Sequence, residues 1–281
     1  QYVGQGEVFE GLSIWKNEKY RKLQGSMPVI YLSFADVKAS TFASAREKIC
    51  MLIEEVYRRH DFLLTGGSLK EGEAERFRKV LVEMTDSEAA YSLKNLSGYL
   101  SGYYGKKVII LLDEYDTPLQ EAWVYGYWYE MVELMRGLFN STFKANPYLE
   151  RAVMTGITRV SKESIFSDLN HLTVVTSTSE MYADCFGFTE QEVYSALDEY
   201  GMQDRCADVK RWYDGFTFGK CRDIYNPWSI INYLKIGRLS TYWANTSSNG
   251  LVDKLIREGS AEIKMSMENL LKGKHLEEGA Q

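Results

Sequence analysis

Apolar and polar positions divide the chain into two regimes. Up to about residue 178, short β-branched runs alternate with long stretches of helical period; beyond it, short helices with clean stops follow one another. Pro28-Val29-Ile30-Tyr31-Leu32-Ser33-Phe34 reads as a strand. From Thr41 to Arg59, the residues Phe42, Ala45, Ile49, Leu52, Ile53 and Val56 recur at helical spacing. Arg58-Arg59-His60 then brings positive charge to the negative end of that helix dipole. Phe62 to Gly67 is a break, and Glu71 to Met84 predicts a more charged helix. Thr85-Asp86-Ser87-Glu88 is a capping box that opens a third helix. Val108 to Leu112 is a run of five large aliphatics between Gly105-Lys106-Lys107 and Pro118, which predicts a strand buried on both faces. One long helix from about Gln120 to Lys144 and a strand from Leu149 to Gly156 complete this half.

Strand, helices, strand, helix, strand is the signature of parallel βαβ units, so the expected fold is α/β, a parallel sheet flanked by helices. Residues 1–27 are polar and glycine-bearing without a sustained period and read as a connecting segment. Residues 28–178 form the α/β core, and 179–281 a mainly helical domain with one small hairpin. In the latter, Phe188-Thr189-Glu190-Gln191-Glu192-Val193 combines a capping box with a hydrophobic staple, and its helix ends at Gly201. A helix from about Asp204 stops before Gly215, and Thr217 to Tyr225 reads as a hairpin around Gly219-Lys220. Asn226-Pro227 caps a helix ending at Gly237, and two more helices follow, after Asn249 and after Ser260.

Composition narrows the function classes. The chain has 281 residues, 45% hydrophobic and 26% charged, an ordinary globular balance with enough length for a sizeable core. A net charge of −6 argues against a dominant nucleic-acid surface. Cys50, Cys185, Cys206 and Cys221 have no zinc or redox spacing, and there are only three histidines, so a structural metal site is not expected. The cysteines read as reduced residues of a cytoplasmic protein, and no run has the length of a membrane span.

The chemistry concentrates where Val108–Leu112 ends in Asp113-Glu114-Tyr115-Asp116. In an open parallel sheet, active sites lie at the carboxyl ends of strands. An Asp there holds Mg²⁺ through water, and the following Glu orients and polarises an attacking water. Acids that merely face solvent at a strand end are the competing explanation. The strand ending at Gly156 also runs into a polar cluster, Thr155-Gly156-Ile157-Thr158-Arg159. If the two strands are neighbours, Thr155 is placed to bond a water or a γ-phosphate, and Arg159 to stabilise transition-state charge. Thr158 is a further candidate on the nucleotide side, and Asp116 a second candidate for the metal.

Leu111-Leu112-Asp113-Glu114-Tyr115-Asp116-Thr117-Pro118, Met154-Thr155-Gly156-Ile157-Thr158-Arg159-Val160-Ser161 and Gly187-Phe188-Thr189-Glu190-Gln191-Glu192-Val193 resemble the AAA-ATPase-like family. So do Trp212-Tyr213-Asp214-Gly215-Phe216 and Tyr225-Asn226-Pro227-Trp228-Ser229-Ile230. The resemblance runs from about residue 7 to residue 274. It implies a bacterial P-loop NTPase core with Asp113 and Glu114 as the Walker B pair, a helical lid, ATP and Mg²⁺ as cofactors, and a PD-(D/E)XK nuclease-like domain often fused at the C-terminus.

Two features of the family are missing. No Gly-x-x-x-x-Gly-Lys-Ser/Thr loop occurs: Gly102 to Lys107 has the wrong spacing, and Gly215 to Cys221 is one residue short. The expectation is an internal fragment that begins after the P-loop and binds ATP weakly or not at all alone. No nuclease-like domain is recognisable either, and Glu262-Ile263-Lys264 matches its tripeptide only within a helical stretch. Three readings follow: an ATP-binding and ATP-hydrolysing domain; a nucleotide-independent regulatory or protein-interaction module; and a switch for an attached nuclease-like module acting on DNA. The first and third combine best, with homo-oligomerisation an open partner question and no membrane partner.

Overall fold

The computed structural model describes residues 5–80, 84–157, 165–166, 169, 171–243, 257 and 259–272. By internal contacts the chain divides into two compact units, Gln1–Asn170 and His171–Gln281.

The first unit carries a parallel sheet of β1 (Val29–Ser33), β2 (Val108–Asp113) and β3 (Leu149–Met154), in that spatial order. Tyr31 lies opposite Leu111, and Leu111 opposite Val153. The connection from β1 to β2 carries a helix Phe42–Arg58 (α2 below, after a short α1 at Glu18–Leu23), short helices α3 (Phe62–Thr65) and α4 (Glu71–Arg78), and α5 (Asp86–Tyr104). Thr85 caps α5 as the sequence predicts: its hydroxyl accepts from Glu88 N–H, and Glu88 Oε2 accepts from Thr85 N–H at 2.8 Å. Two helices, not one, lead from β2 to β3: α6 (Thr117–Tyr125) and α7 (Trp128–Phe143). The break is at Gly126, whose φ of +85° ends α6 in the left-handed region that glycine adopts without a Cβ penalty. The apolar period continues across that turn and conceals it in the sequence.

Ile30, Leu32, Val108, Ile110 and Leu112 point into the core against α2 and α5, each at most 2% exposed. The opposite sheet face differs from expectation. Ile109 and Leu111 are only half-buried, and Val29, Tyr31 and Val153 are 42%, 45% and 49% exposed. The reason is topological. Two successive crossovers of one hand, both stepping the same way across the sheet, place their helices on the same face.

The second unit holds α8 (Glu190–Glu199), α9 (Cys206–Tyr213), α10 (Pro227–Ile236), a helix Ala261–Leu271, and a small antiparallel sheet. The expected hairpin is present as β5 (Asp214–Phe218) and β6 (Cys221–Tyr225), and β4 (Phe188–Thr189) adds a third strand beside β6. The helix expected after Asn249 lies outside the described residues. Val193, Leu197, Val209, Tyr213, Tyr225, Ile230 and Tyr233 form the core. Over it, Lys210 Nζ contacts Glu190 Oε1 at 2.6 Å and Asp223 Oδ1 at 3.3 Å, tying α9 to α8 and β6.

This cluster makes stability pH-dependent. Hydrogen bonds from Lys210 and Tyr194 hold the Glu190 carboxyl below its ordinary value of 4.5. A depressed folded-state pKa contributes stability above the unfolded value, which is lost as pH falls through the folded value. Asp214 opposes this: burial and the Asp223 carboxyl raise it above 3.8, so its contribution is lost as pH rises. In thermal melts followed by tryptophan fluorescence, Glu190→Gln is expected to melt below wild type at pH 7, with the gap closing as pH drops below 4.5.

Candidate functional site

The register brings three side chains into one row on the open face of the sheet. Ser33 ends β1, Asp113 lies directly opposite it at the end of β2, and Thr155 follows β3. Asp113 Oδ2 accepts from Ser33 Oγ at 3.2 Å and from Tyr31 OH at 3.5 Å, while Oδ1 accepts from Thr155 Oγ1 at 2.7 Å. All three partners are neutral hydroxyls, which orient the carboxylate without neutralising a negative charge on it. The loop after β3 is fixed to β2 by its backbone: Thr155 N–H donates to Leu112 O at 2.9 Å, and Tyr115 N–H to Thr155 O at 3.0 Å.

Glu114 is solvent-exposed and has φ of +49°, left-handed backbone that a β-carbon disfavours. Strain of this kind costs of order 1–3 kcal/mol and persists only where surrounding contacts enforce it. Here Thr117 enforces it: its N–H donates to Glu114 O and its hydroxyl to Glu114 Oε2, each at 3.1 Å. The turn aims the Glu114 side chain away from the core at the same sheet end as Asp113.

Asp116 goes the other way. It is 1% exposed, and its Oδ2 accepts from Gln120 Nε2 at 2.8 Å and from Ile157 N–H at 3.1 Å. This side chain clasps the loop after β3 to the start of α6. Gly156 makes the clasp possible. A Cβ there would stand 2.8 Å from Asp116 Cγ and 2.9 Å from Tyr115 Cε1. Tyr115 is itself packed edge-on against Phe139 and Phe166.

Asp113 and Thr155 therefore meet at one sheet end, and Glu114 follows Asp113 in the chain with its carboxylate held by Thr117. Thr158 and Arg159 lie outside the described residues. Ser33 and Tyr31 are partners of Asp113 that the sequence does not single out. The available signal was the polar ending of β1, but only the register shows that it meets Asp113. No cluster of three or more metal-ligating side chains occurs among the described residues.

A family model described as Predicted AAA-ATPase matches residues 1–166. The chain belongs to the AAA-ATPase-like family. That membership points to a nucleotide as its ligand. This AAA-ATPase-like chain is also similar to an "Uncharacterized protein in vnfD 5'region" of Azotobacter chroococcum mcd 1, at 28% identity over 160 residues. The match covers 56% of this chain and 30% of the relative, so the chain spans about a third of the length of the curated relative it matches. No solved structure matches it. Among the described residues of this family member, no helix is long and apolar enough to cross a membrane.

Proposed function

We propose that this chain is the Walker B-bearing part of an ATP-hydrolysing domain, with Asp113 holding a hydrated Mg²⁺ and Glu114 orienting the water that attacks the γ-phosphate. The observation that carries the reading is the Ser33–Asp113–Thr155 row beside an exposed, conformationally strained Glu114. A magnesium ion suits Asp113. It is a hard cation that keeps most of its waters and takes one or two carboxylates, and hydroxyls around Asp113 can bond those waters. When bound, such an ion draws charge from the phosphate oxygens. Ser33 and Tyr31 fix the Asp113 carboxylate from one side and Thr155 from the other. Thr155 is our candidate for sensing the γ-phosphate or attacking water, and Thr158 and Arg159, by sequence alone, are our further candidates on the nucleotide side. Asp116, buried and bonded, serves the site by holding the loop that carries Thr155 rather than by meeting the metal.

The phosphates are another matter. Residues 1–281 contain no Gly-x-x-x-x-Gly-Lys-Ser/Thr stretch, so they do not supply the backbone cradle for a triphosphate. On this reading hydrolysis requires a form with such a loop. There the cycle is proposed to switch an attached nuclease-like or DNA-processing module, in the cytoplasm and with subunit association open.

Calorimetry with Mg-ATP tests this on residues 1–281 and on a longer form carrying a phosphate-binding loop. Binding by the longer form only, lost when its loop lysine is replaced, is the expected result. Binding by neither would overturn the ATPase reading and favour a nucleotide-independent interaction module, for which the exposed Trp212 and Trp228 of the second unit are the surface to examine.

A further inference from the structure

Asp113, Glu114 and Asp116 follow one another closely at the end of β2, and each is restrained differently. Asp113 accepts from three hydroxyls, and Asp116 from an amide side chain and a backbone N–H. Glu114 is exposed, and among the described residues its carboxylate has one donor, the Thr117 hydroxyl at 3.1 Å from Oε2. Its Oε1 has none.

An unrestrained glutamate side chain hops among staggered rotamers, and each hop relocates its carboxylate. A group that orients an attacking water has to be held within about 0.5 Å of its working position by neighbours that are themselves locked. Thr117 meets that requirement. It is 9% exposed, and Pro118 and Leu119, which follow it in α6, are buried as well. Asp116 O accepts from the N–H groups of Leu119 at 3.0 Å and Gln120 at 2.9 Å, closing the first turn of α6 around Thr117. The β-branched side chain of Thr117 is also restricted at χ1.

The two bonds from Thr117 to Glu114 have different jobs. The N–H bond to Glu114 O shapes the left-handed turn, and any residue except proline can make it. The hydroxyl bond to Oε2 sets where the side chain points.

We propose that Thr117 is a positioning residue for hydrolysis: its hydroxyl holds Oε2 of Glu114 so that Oε1 is presented to the attacking water. The inference rests on the ATPase reading above and adds to it the residue that makes an exposed, flexible acid fit to orient a water. Thr117 acts through Glu114 alone.

Two measurements test this, and the first needs no nucleotide. In residues 1–281, three-bond NMR couplings from Glu114 Cγ to its backbone N and carbonyl carbon should report one χ1 rotamer in wild type and in Thr117→Ser. They should report rotamer averaging in Thr117→Val, which keeps the branched shape and the N–H bond and removes only the hydroxyl. Thr117→Ala, which also lacks the hydroxyl, should behave like the valine variant. The second measurement is steady-state phosphate release by the longer form with a phosphate-binding loop. There Thr117→Val should lower kcat about tenfold or more, the worth of a hydrogen bond to a charged group, with KM for Mg-ATP within about twofold. Thr117→Ser should restore kcat. In a Glu114→Ala background Thr117→Val should cost nothing further. Averaged couplings in wild type, an unchanged kcat in Thr117→Val, a loss that falls on KM, no recovery with serine, or an equal loss in both backgrounds would each overturn the proposal. If Thr117→Val keeps full kcat while Glu114→Ala does not, this inference fails and the ATPase reading stands. A longer form that binds Mg-ATP without hydrolysing it removes both.

Discussion

Glu114→Gln is expected to leave the fold unchanged and to lower the hydrolysis rate of a nucleotide-competent form about 10²–10⁴-fold, the usual worth of a positioned base or water-orienting group. Glutamine has the same length and the same left-handed backbone penalty, so the turn after β2 keeps its shape, and Thr117 can still donate to the side-chain oxygen. What is lost is the carboxylate that we propose polarises the attacking water. Mg-ATP affinity should survive, because Asp113, with its three hydroxyl partners, is untouched. The measurement is steady-state phosphate release alongside calorimetric binding, with circular dichroism to compare the folds. A variant that binds and hydrolyses like wild type would remove Glu114 from the mechanism. One that fails to bind would make it a ligand instead.

Gly156→Ala should cost about 2–4 kcal/mol, combining overpacking with a broken buried hydrogen bond. The new methyl meets the Asp116 carboxylate and the Tyr115 ring, neither of which is the free end of a long side chain. Tyr115 is wedged against Phe139 and Phe166, and Asp116 is held by Gln120 and Ile157. To make room, Asp116 has to swing away and release the Ile157 N–H. The denaturant midpoint should fall with little change in slope. Placing Asp116→Ser under the same change supplies the control. If the clash is the cause, Gly156→Ala costs less in that background, and the shortfall measures the coupling between the two positions.

Much of this architecture is legible in the sequence because local signals agree with the fold. β2 announces itself by five aliphatics ending in acids, and α5 and α8 by capping boxes that form as read. What is hidden depends on long-range pairing. Ser33 looks like any strand end until register places it opposite Asp113, eighty positions later. β4 hides because a two-residue strand has no period, and its Thr189 already has an evident duty as a helix cap. Gly126 hides because a left-handed residue interrupts the helix without interrupting the apolar stripe. Asp116 and Glu114 differ by two positions in the same acidic cluster, yet one is buried and the other exposed. Only the strained turn between them decides which.

The half-covered sheet also governs how the protein behaves as a solute. Val29, Tyr31, Ile109, Leu111 and Val153 line a largely apolar plane, interrupted by Arg151 opposite Ile109, that water wets at a free-energy cost. Salts such as sulfate, which are excluded from protein surfaces, increase that cost and drive two such planes together. A net charge of −6 works against the contact, and its repulsion is screened within about 10 Å at 0.1 M ionic strength. The expectation is weaker self-association of this chain at low salt than at high salt, read by light scattering across a sulfate series.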